Sequence, residues 1–281
     1  MKNNRNFSTN GLSAAKHQLG FSLVELLIAM VIGLFLLVGI TTSYLSSKKS
    51  SITRDQVSVL EDNGRIALEI LTNTLQHAGY RSTNLVALGN PFMSDGRPTS
   101  YSCGTGINSI LDNTKFPTTV INDNDAGDSI GIVYLGDDEL NIDCSGRDLP
   151  GACRVGAGVD PKAHRIYNAF FIADDELKCV GSRATDEVTI AEDVENMQIL
   201  YGVNVDDDVE KSVERYVSAA DMGGDWGKVV SIQVAILVRT MIEVKDQAES
   251  TSFTLLNKKV VTPNDRYKRA VFSSSIKLRN L

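Results

Sequence analysis

One apolar run constrains what this chain can fold into more than any other feature. It extends over residues 21–40, where Ser22, Glu25, Gly33 and Gly39 are the only residues that are not hydrophobic. A helix of about 20 apolar residues crosses the hydrocarbon core of a bilayer. The rest of the chain is polar enough for water, since 22% of all residues are charged. We therefore expect one membrane-spanning helix attached to a water-exposed domain.

Glu25 is the unexpected residue in this run. A charged side chain within the bilayer costs roughly 2.5–3.5 kcal/mol on insertion scales, and such residues normally have a partner or a function. Glu25 is therefore the first candidate functional residue of the chain.

The charge of the chain argues against direct binding of nucleic acid. The formal net charge is −7, and loss of residues 1–20, which contain Lys2, Arg5 and Lys16 and no acid, changes it to −10. Proteins hold nucleic acid through Lys and Arg residues that displace counterions from phosphates. We expect no direct nucleic-acid binding by this chain.

Four cysteines follow the apolar run at Cys103, Cys144, Cys153 and Cys179. An even number of cysteines behind a membrane segment indicates disulfides in an oxidising compartment, which favours a C-terminal region outside the cytoplasm. Their spacing leaves three connectivities open, and four buried free thiols are the alternative. No pair has the C-x-x-C spacing of a zinc ribbon or a redox site.

The residue types needed for catalysis or metal binding are dispersed. The histidines, His17, His77 and His164, suggest neither a catalytic triad nor a zinc site. Residues 122–128 resemble a calcium loop but lack the EF-hand spacing, and the acidic residues 206–208 are typical of a solvated turn. We predict a protein that is not an enzyme and that binds no metal or cofactor.

Helical spacing of apolar residues continues beyond the membrane run. No proline interrupts residues 21–78, and Gly79 stands where a helix C-cap is expected. We predict a membrane helix at 21–44, its amphipathic continuation at 45–79, and a β-rich domain at 80–281.

Alternating apolar residues predict strands in the second half of the chain, whereas residues 81–128 are expected to be mostly irregular. Asp174 and Asp175 join two of the strands in a predicted hairpin. One antiparallel sheet, apolar on one face, would cover the helix and form an α+β roll. Trp226 is interpreted as a core residue at the edge of this sheet rather than as a contact for another protein. The predicted strands are 129–135, 165–173, 176–180, 194–203, 230–238 and 272–278.

The start of the apolar run resembles the class III signal of type IV prepilins and of the related pseudopilins of type II secretion. The matching residues are Gly20-Phe21-Ser22-Leu23-Val24-Glu25. The resemblance implies that a prepilin peptidase cleaves the leader, residues 1–20, between Gly20 and Phe21, and that Phe21 becomes N-methylated. It also implies that Glu25 pairs with the amino terminus of a neighbouring subunit.

Later segments resemble the PilW group of minor pilins: residues 61–68, 77–81, 230–239 and 278–280, together with Trp226. This resemblance implies a type IV pilin-like α+β fold, with a long N-terminal helix packed on an antiparallel sheet. It also implies a disulfide between Cys144 and Cys179, which leaves Cys103 to pair with Cys153.

The function that this resemblance implies is that of a minor pilin that helps to initiate type IV pilus assembly. It would sit in or near the pilus tip and support twitching motility, adhesion or DNA uptake. The implied partners are other minor pilins, the major pilin, the prepilin peptidase, the inner-membrane assembly platform and a tip adhesin. The expected location is the inner membrane, with a periplasmic C-terminal domain, and then the pilus tip.

Two alternatives remain open from the sequence. The first is a minor pseudopilin of a type II secretion system, which shares the leader, the helix and Glu25. The second, from another class, is a membrane-anchored periplasmic enzyme or calcium-binding module.

Overall fold

A computed structural model describes residues 20–82, 88–123, 127–206 and 212–280. The chain divides into two units, Met1–Ser51 and Ile52–Leu281. Residues 1–19 of the predicted leader lie outside the described residues.

Helix α1 extends over Leu23–Leu75 and ends four residues before residue 79, the predicted end of its amphipathic continuation. The backbone N–H groups of His77 and Ala78 donate to carbonyls three residues back, each at 3.1 Å, so the last turn is tighter than an α-helix. Gly79 then takes a positive φ of 77°. Its N–H donates to the carbonyl of Val133 at 3.0 Å, which directs the chain from α1 to the sheet.

The predicted α+β class is confirmed by a long N-terminal helix followed by antiparallel strands. Short 3₁₀ helices occupy Asn113–Lys115, Gly151–Cys153, Pro161–His164 and Trp226–Lys228. The strands are β1 (Ser102–Gly104), β2 (Ile107–Asn108), β3 (Ile130–Leu135), β4 (Arg165–Ala173), β5 (Glu176–Gly181), β6 (Val188–Ala191), β7 (Val194–Val203), β8 (Arg215–Val217), β9 (Val229–Arg239), β10 (Ser252–Leu255), β11 (Lys258–Val261) and β12 (Arg269–Lys277).

Within the described residues the long strands form two sheets, whereas the sequence predicts one. One sheet has the order β3-β4-β5-β6 and the other β12-β9-β7-β8, and the pairs β1–β2 and β10–β11 form separate hairpins. All of these pairings are antiparallel. The alternation of apolar residues identifies strands and their faces but not their partners, so it does not reveal the division.

The hairpin predicted at Asp174 and Asp175 is confirmed. Ala173 of β4 pairs with Glu176 of β5, and both aspartates between them have positive φ, 56° and 58°. Two consecutive residues with positive φ are the signature of a type I′ turn, whose twist matches that of the flanking strands.

The main core lies between α1 and both sheets. The helix buries one row of residues, and β3, β4, β7 and β9 contribute large apolar side chains to the same cluster. The buried row of α1 consists of Leu60, Gly64, Ala67, Leu71 and Leu75.

Strand β9 is buried on both faces, so the prediction of a single apolar face is wrong for this strand. Val234 and Ile236 belong to the main core, whereas Ala235 and Leu237 form a second cluster with Leu255 of the β10–β11 hairpin. The strands of this hairpin have four residues each, which is too short for alternation to identify them reliably.

Candidate assembly site

The predicted cleavage site lies just before α1. Gly20 and Phe21 are not helical, and 85% of the surface of Phe21 is exposed. Accessible backbone outside regular structure is where proteolysis concentrates. Cleavage between Gly20 and Phe21 stays a prediction, with which this exposed, non-helical position is consistent.

Glu25 is exposed and lies in the first turn of α1. The dipole of a helix favours a carboxylate at this end by about 0.3–1 kcal/mol. That is well below the roughly 2.5–3.5 kcal/mol that insertion of a charge into a bilayer costs. The dipole of the helix by itself does not offset this cost, and the pairing of Glu25 with the amino terminus of another subunit stays a prediction.

The first part of α1 has an apolar surface that its own chain does not cover. Among the described residues, α1 is long and apolar enough to cross a membrane, and its most apolar stretch is not buried by the rest of the chain. A continuous apolar surface of this kind marks a contact with lipid or with another protein.

The later part of α1 is fitted to its own domain. A Cβ atom added at Gly64 would overlap the ring of Phe272 on β12, so only glycine allows this approach. At the end of the helix, the side-chain amide of Asn280 donates to the carbonyl of Gln76 at 2.9 Å. Gly64 and Asn280 both belong to segments that resemble the PilW group, and here they serve packing within the domain.

Two disulfides are present, Cys103–Cys153 and Cys144–Cys179, with Cα–Cα distances of 5.1 and 6.4 Å. These are the pairs implied by the family resemblance. They attach the long β3–β4 connection to β1 on one side and to β5 on the other. Such cross-links stabilise a domain mainly by restricting its unfolded chain.

A buried amide that the sequence analysis missed organises the same connection. The Oδ1 atom of Asn168 accepts a hydrogen bond from the N–H of Cys144 at 2.9 Å, and its Nδ2 donates to the hydroxyl of Tyr134 at 3.3 Å. Tyr134 in turn donates to the carbonyl of Ile142 at 2.6 Å. Burial raises the pKa of the Tyr134 phenol, so it stays a neutral donor. Asn168 thus positions Cys144 for its disulfide.

A second missed feature is a buried arginine between two carboxylates. The guanidinium of Arg269 donates to Glu195 at 2.6 and 2.7 Å and to Asp265 at 2.6 and 2.7 Å. Burial disfavours its charge, but the hydrogen bonds with Asp265 and Glu195 outweigh burial and raise the pKa of Arg269. Arg239 approaches the same carboxylate of Glu195 at 3.5 Å. Arg269 and Glu195 are 74 residues apart, so no local pattern reveals the pair.

Trp226 packs in an aromatic group, as its interpretation as a core residue predicts. It is partly buried against the main core. Its ring centroid lies 5.0 Å from Tyr201 in a T-shaped arrangement and 5.6 Å from Phe92. Edge-to-face contacts of this kind add to the stability that burial provides.

The acidic residues that suggested a calcium loop have separate structural partners. Asp128 is buried and accepts a hydrogen bond from the N–H of Ile199 at 2.8 Å, whereas Asp123 lies 3.1 Å from Lys258. Residues 124–126 of this loop, and residues 207–208 of the acidic turn, lie outside the described residues. Across the part of the chain that the structure describes, no three His, Cys, Asp or Glu side chains are grouped so as to hold a metal ion.

Among the residues that the structure describes, the histidines have separate surroundings. His77 packs at 5.8 Å from the ring of Tyr134, and burial lowers the pKa of His77. The Nδ1 atom of His164 lies 2.9 Å from the carbonyl oxygen of Cys153, and His17 lies outside the described residues.

Two family models match the chain, one at each end. The prokaryotic N-terminal methylation motif covers residues 15–41, and type IV pilus-assembly protein W (PilW) covers residues 168–280. The two matches support a type IV pilus minor pilin of the PilW type. The second match includes β5, β7, β9 and β12, which form much of the domain.

A solved structure, of a type IV-like pilin from Thermus thermophilus, is similar to this minor pilin over 79% of this chain and 98% of that chain. The sequence identity is 14% and the TM-score is 0.41. At this TM-score the similarity carries no argument about the fold, which rests on the elements described above. No protein with a curated description matches the chain.

The location of the minor pilin follows from these matches. Its N-terminal helix anchors it in the inner membrane, with the C-terminal domain beyond the helix, before it enters a pilus. As a pilus component it interacts with other pilus components and with the membrane. The match to a pilus-assembly family favours a structural role for this chain.

Proposed function

We propose that this minor pilin helps to initiate assembly of the type IV pilus and takes a place in or near the pilus tip. In that role it supports twitching motility, adhesion or DNA uptake. The observation that carries the proposal is the PilW match over residues 168–280. That match lies in the domain, beyond the N-terminal motif that pilins share with pseudopilins.

In this proposal, processing creates the positively charged group that pairs with Glu25. Cleavage between Gly20 and Phe21 leaves a new amino terminus at Phe21, which the peptidase then methylates. In a medium of low dielectric, a carboxylate and an ammonium attract each other strongly, while either one alone is penalised. An incoming subunit is therefore favoured when its amino terminus reaches the unpaired Glu25 of a neighbour, and this sets the register of the helices.

Assembly transfers α1 from lipid to the interior of a filament, where it packs against the helices of other minor pilins and of the major pilin. Because both surroundings are apolar, little hydrophobic free energy is lost on transfer, and close packing provides the attraction. The other partners in this proposal are the prepilin peptidase, the inner-membrane assembly platform and a tip adhesin. The domain, with its two sheets and two disulfides, determines which partners the subunit accepts.

The test is a deletion of the gene in the organism that produces this chain, with the wild-type gene restored as the control. We expect loss of surface pili, counted by electron microscopy, while exoprotein secretion continues. Normal pili with loss of exoprotein secretion would instead establish a minor pseudopilin of type II secretion.

Mass spectrometry of the purified mature protein tests the processing step. We expect N-methylated Phe21 as the first residue. An intact leader in functional material would contradict the proposal and favour a membrane-anchored enzyme or calcium-binding module.

A further inference from the structure

A cavity of about 270 Å³ lies on the face of the β3-β4-β5-β6 sheet that is turned away from α1. Val133 of β3 and Tyr167 of β4 line it and belong to a buried cluster formed outside α1. Their neighbours Ile132 and Ile166 lie on the opposite face of the sheet and join the main core. Packing of the sheet against α1 therefore leaves this cavity unused.

One wall of the cavity is fixed by hydrogen bonds of the segment before β1. Phe92 forms an antiparallel bridge with Ile132 of β3, and the N–H of Met93 donates to the carbonyl of Gly131 at 2.9 Å. The side-chain oxygen of Asn90 accepts a hydrogen bond from the N–H of Phe92 at 2.9 Å. Asn90, Phe92 and Met93 all line the cavity. A wall held in this way needs little ordering when a ligand binds, which favours affinity.

Two arginines line the cavity, although the whole chain has a net charge of −7. Nη2 of Arg165 donates to the carbonyl of Leu88 at 2.9 Å, and Nε of Arg97 donates to the carbonyl of Phe116 at 2.6 Å. Within the described ranges, neither guanidinium forms an ion pair with a carboxylate, and the buried Nε–H of Arg165 has no acceptor. A buried donor without a partner is unfavourable, so a ligand oxygen that pairs with Arg165 is favoured.

The charges in the cavity favour a ligand with one carboxylate. Two N–H groups of one arginine can donate to the two oxygens of a carboxylate, and a phosphate fits the same groups. Asp95 lines the same cavity, and its negative charge repels a ligand with two charges more than a ligand with one. The carboxylate of Asp95 also accepts hydrogen bonds from hydroxyl groups. The charged residues therefore favour a monoanion that carries hydroxyl groups.

Two tyrosines add ring surfaces to the cavity. Tyr101 and Tyr167 both line it, and Nζ of Lys162 lies 5.7 Å from the ring centroid of Tyr101. Burial raises the pKa of the Tyr167 phenol, while the nearby Arg165 opposes this rise, so the phenol stays neutral. A phenol combines an apolar ring with a hydroxyl that donates or accepts a hydrogen bond. Both properties suit a sugar ring, which has C–H groups on its faces and hydroxyl groups at its edge.

We propose that this cavity binds a uronic acid, which is a sugar ring with one carboxylate. The carboxylate pairs with Arg165 and Arg97, the ring packs against the tyrosines, and a hydroxyl donates to Asp95. The volume suits a single ring, because cavities for larger, drug-sized ligands begin at about 300 Å³. The inference goes beyond the proposed function and does not depend on it. We define the uronate pocket as Asp95, Arg97, Tyr101, Arg165 and Tyr167.

Saturation-transfer NMR on the purified full chain tests the inference, in a detergent whose head group contains no sugar. Glucuronate and its methyl glycoside represent a free uronic acid and the end of a polysaccharide, and the one that binds more tightly identifies the source. We expect a Kd on the order of 1 mM for that probe, as is typical of a ligand with about 13 non-hydrogen atoms. Glucose lacks the carboxylate, acetate lacks the ring, and inorganic phosphate carries more charge. Each should bind at least about tenfold more weakly.

Replacement of the two arginines locates the binding. Arg165→Gln should weaken glucuronate binding by roughly tenfold to a hundredfold, since hydrogen bonds to a charged group are lost. Arg97→Gln, at an exposed position, should weaken it by about threefold to tenfold. Arg215→Gln removes an exposed arginine of β8 outside the uronate pocket and should leave binding unchanged. Urea unfolding of each variant separates loss of the pocket from loss of the fold, and if Arg165→Gln does not fold, the exposed Arg97→Gln decides.

Four results would overturn the inference. The first is no signal from either uronate probe at about 10 mM, roughly ten times the expected Kd. The second is glucose or acetate binding as tightly as glucuronate, and the third is phosphate binding more tightly, which would indicate a simple anion site. The fourth is equal binding by folded Arg97→Gln and Arg215→Gln. None of these results bears on pilus assembly, so the proposed function would stand in each case.

Discussion

The two parts of α1 differ in what surrounds them, although they belong to one helix. Large apolar side chains from Phe21 to Leu45 are exposed, whereas Leu60, Gly64, Ala67, Leu71 and Leu75 are buried against the sheets of the same chain. One face of the later part is therefore covered by its own domain, whereas Ile52, Val59 and Ile66 on another face stay exposed. The apolar surface of the earlier part is covered only in lipid or beside other helices. We therefore expect assembly to depend on the residues of this part.

Loss of Arg269 should destabilise the domain most. Arg269→Leu leaves Glu195 and Asp265 without their shared cation, and breaking a buried pair in this way costs about 3–5 kcal/mol. Urea unfolding of the full chain in detergent measures the change, with Arg279→Leu at an exposed position as the control. If both variants unfold alike, the ion pairs of Arg269 do not support the domain.

Removal of one disulfide should have the next largest effect. The double variant Cys144→Ala/Cys179→Ala is expected to lose about 2–4 kcal/mol of domain stability, because its unfolded chain is less restricted. The same urea titration checks this value, and peptide mapping without reductant should recover Cys103 joined to Cys153. Recovery of Cys103 joined to another cysteine in the wild type would contradict the pairing described here.

Gly64 and Gly33 allow a direct comparison of the two parts of α1. A methyl group at Gly64 would overlap Phe272, so Gly64→Ala should destabilise the domain by about 1–3 kcal/mol. A Cβ atom at Gly33 has no neighbour within 4 Å, so Gly33→Ala should leave the unfolding of the domain unchanged. Thermal unfolding of the two variants is measured by circular dichroism. Equal melting temperatures would show that the two parts of α1 do not differ in this way.

Replacement of Glu25 should affect assembly and leave the stability of the domain unchanged, unlike the three changes above. We expect Glu25→Leu to insert into the membrane and to keep wild-type domain stability. Its incorporation into pili should fall by roughly tenfold, equivalent to about 1.4 kcal/mol, because the amino terminus of the next subunit loses its partner. Immunoblots of sheared pili measure incorporation, with Glu25→Asp as the control that keeps the charge. Wild-type incorporation of Glu25→Leu would show that the carboxylate has no part in assembly.

Much of the fold could be predicted from local patterns. The apolar run, the continuous helix and the Asp174–Asp175 turn depend on residues close together in sequence, and β4 and β7 have the predicted bounds. Helix α1 ended early because a tight turn and a hydrogen bond from Gly79 to β3 compete with its last residues. The short strands β6, β8, β10 and β11 have only three or four residues each, at or below the shortest run in which alternation indicates a strand.

The residues of the candidate assembly site also differ in whether the sequence reveals them. Gly20 and Phe21 were identified through the resemblance to the class III signal, and Glu25 as a charge within an apolar run; all three remain predictions of function. The roles of Asn168 and Arg269 could not be found, because their partners come from distant strands and loops.

By itself, the sequence determined that one long helix begins with an apolar segment that contains a carboxylate and needs apolar surroundings. Length, hydropathy and charge are properties of consecutive residues, so the sequence alone reveals them. Only the tertiary structure decided that the strands form two sheets, that β9 is covered on both faces, and that Ile52, Val59 and Ile66 of α1 stay exposed. Those features depend on which distant surfaces exclude water together, and a local pattern carries no information about its partner.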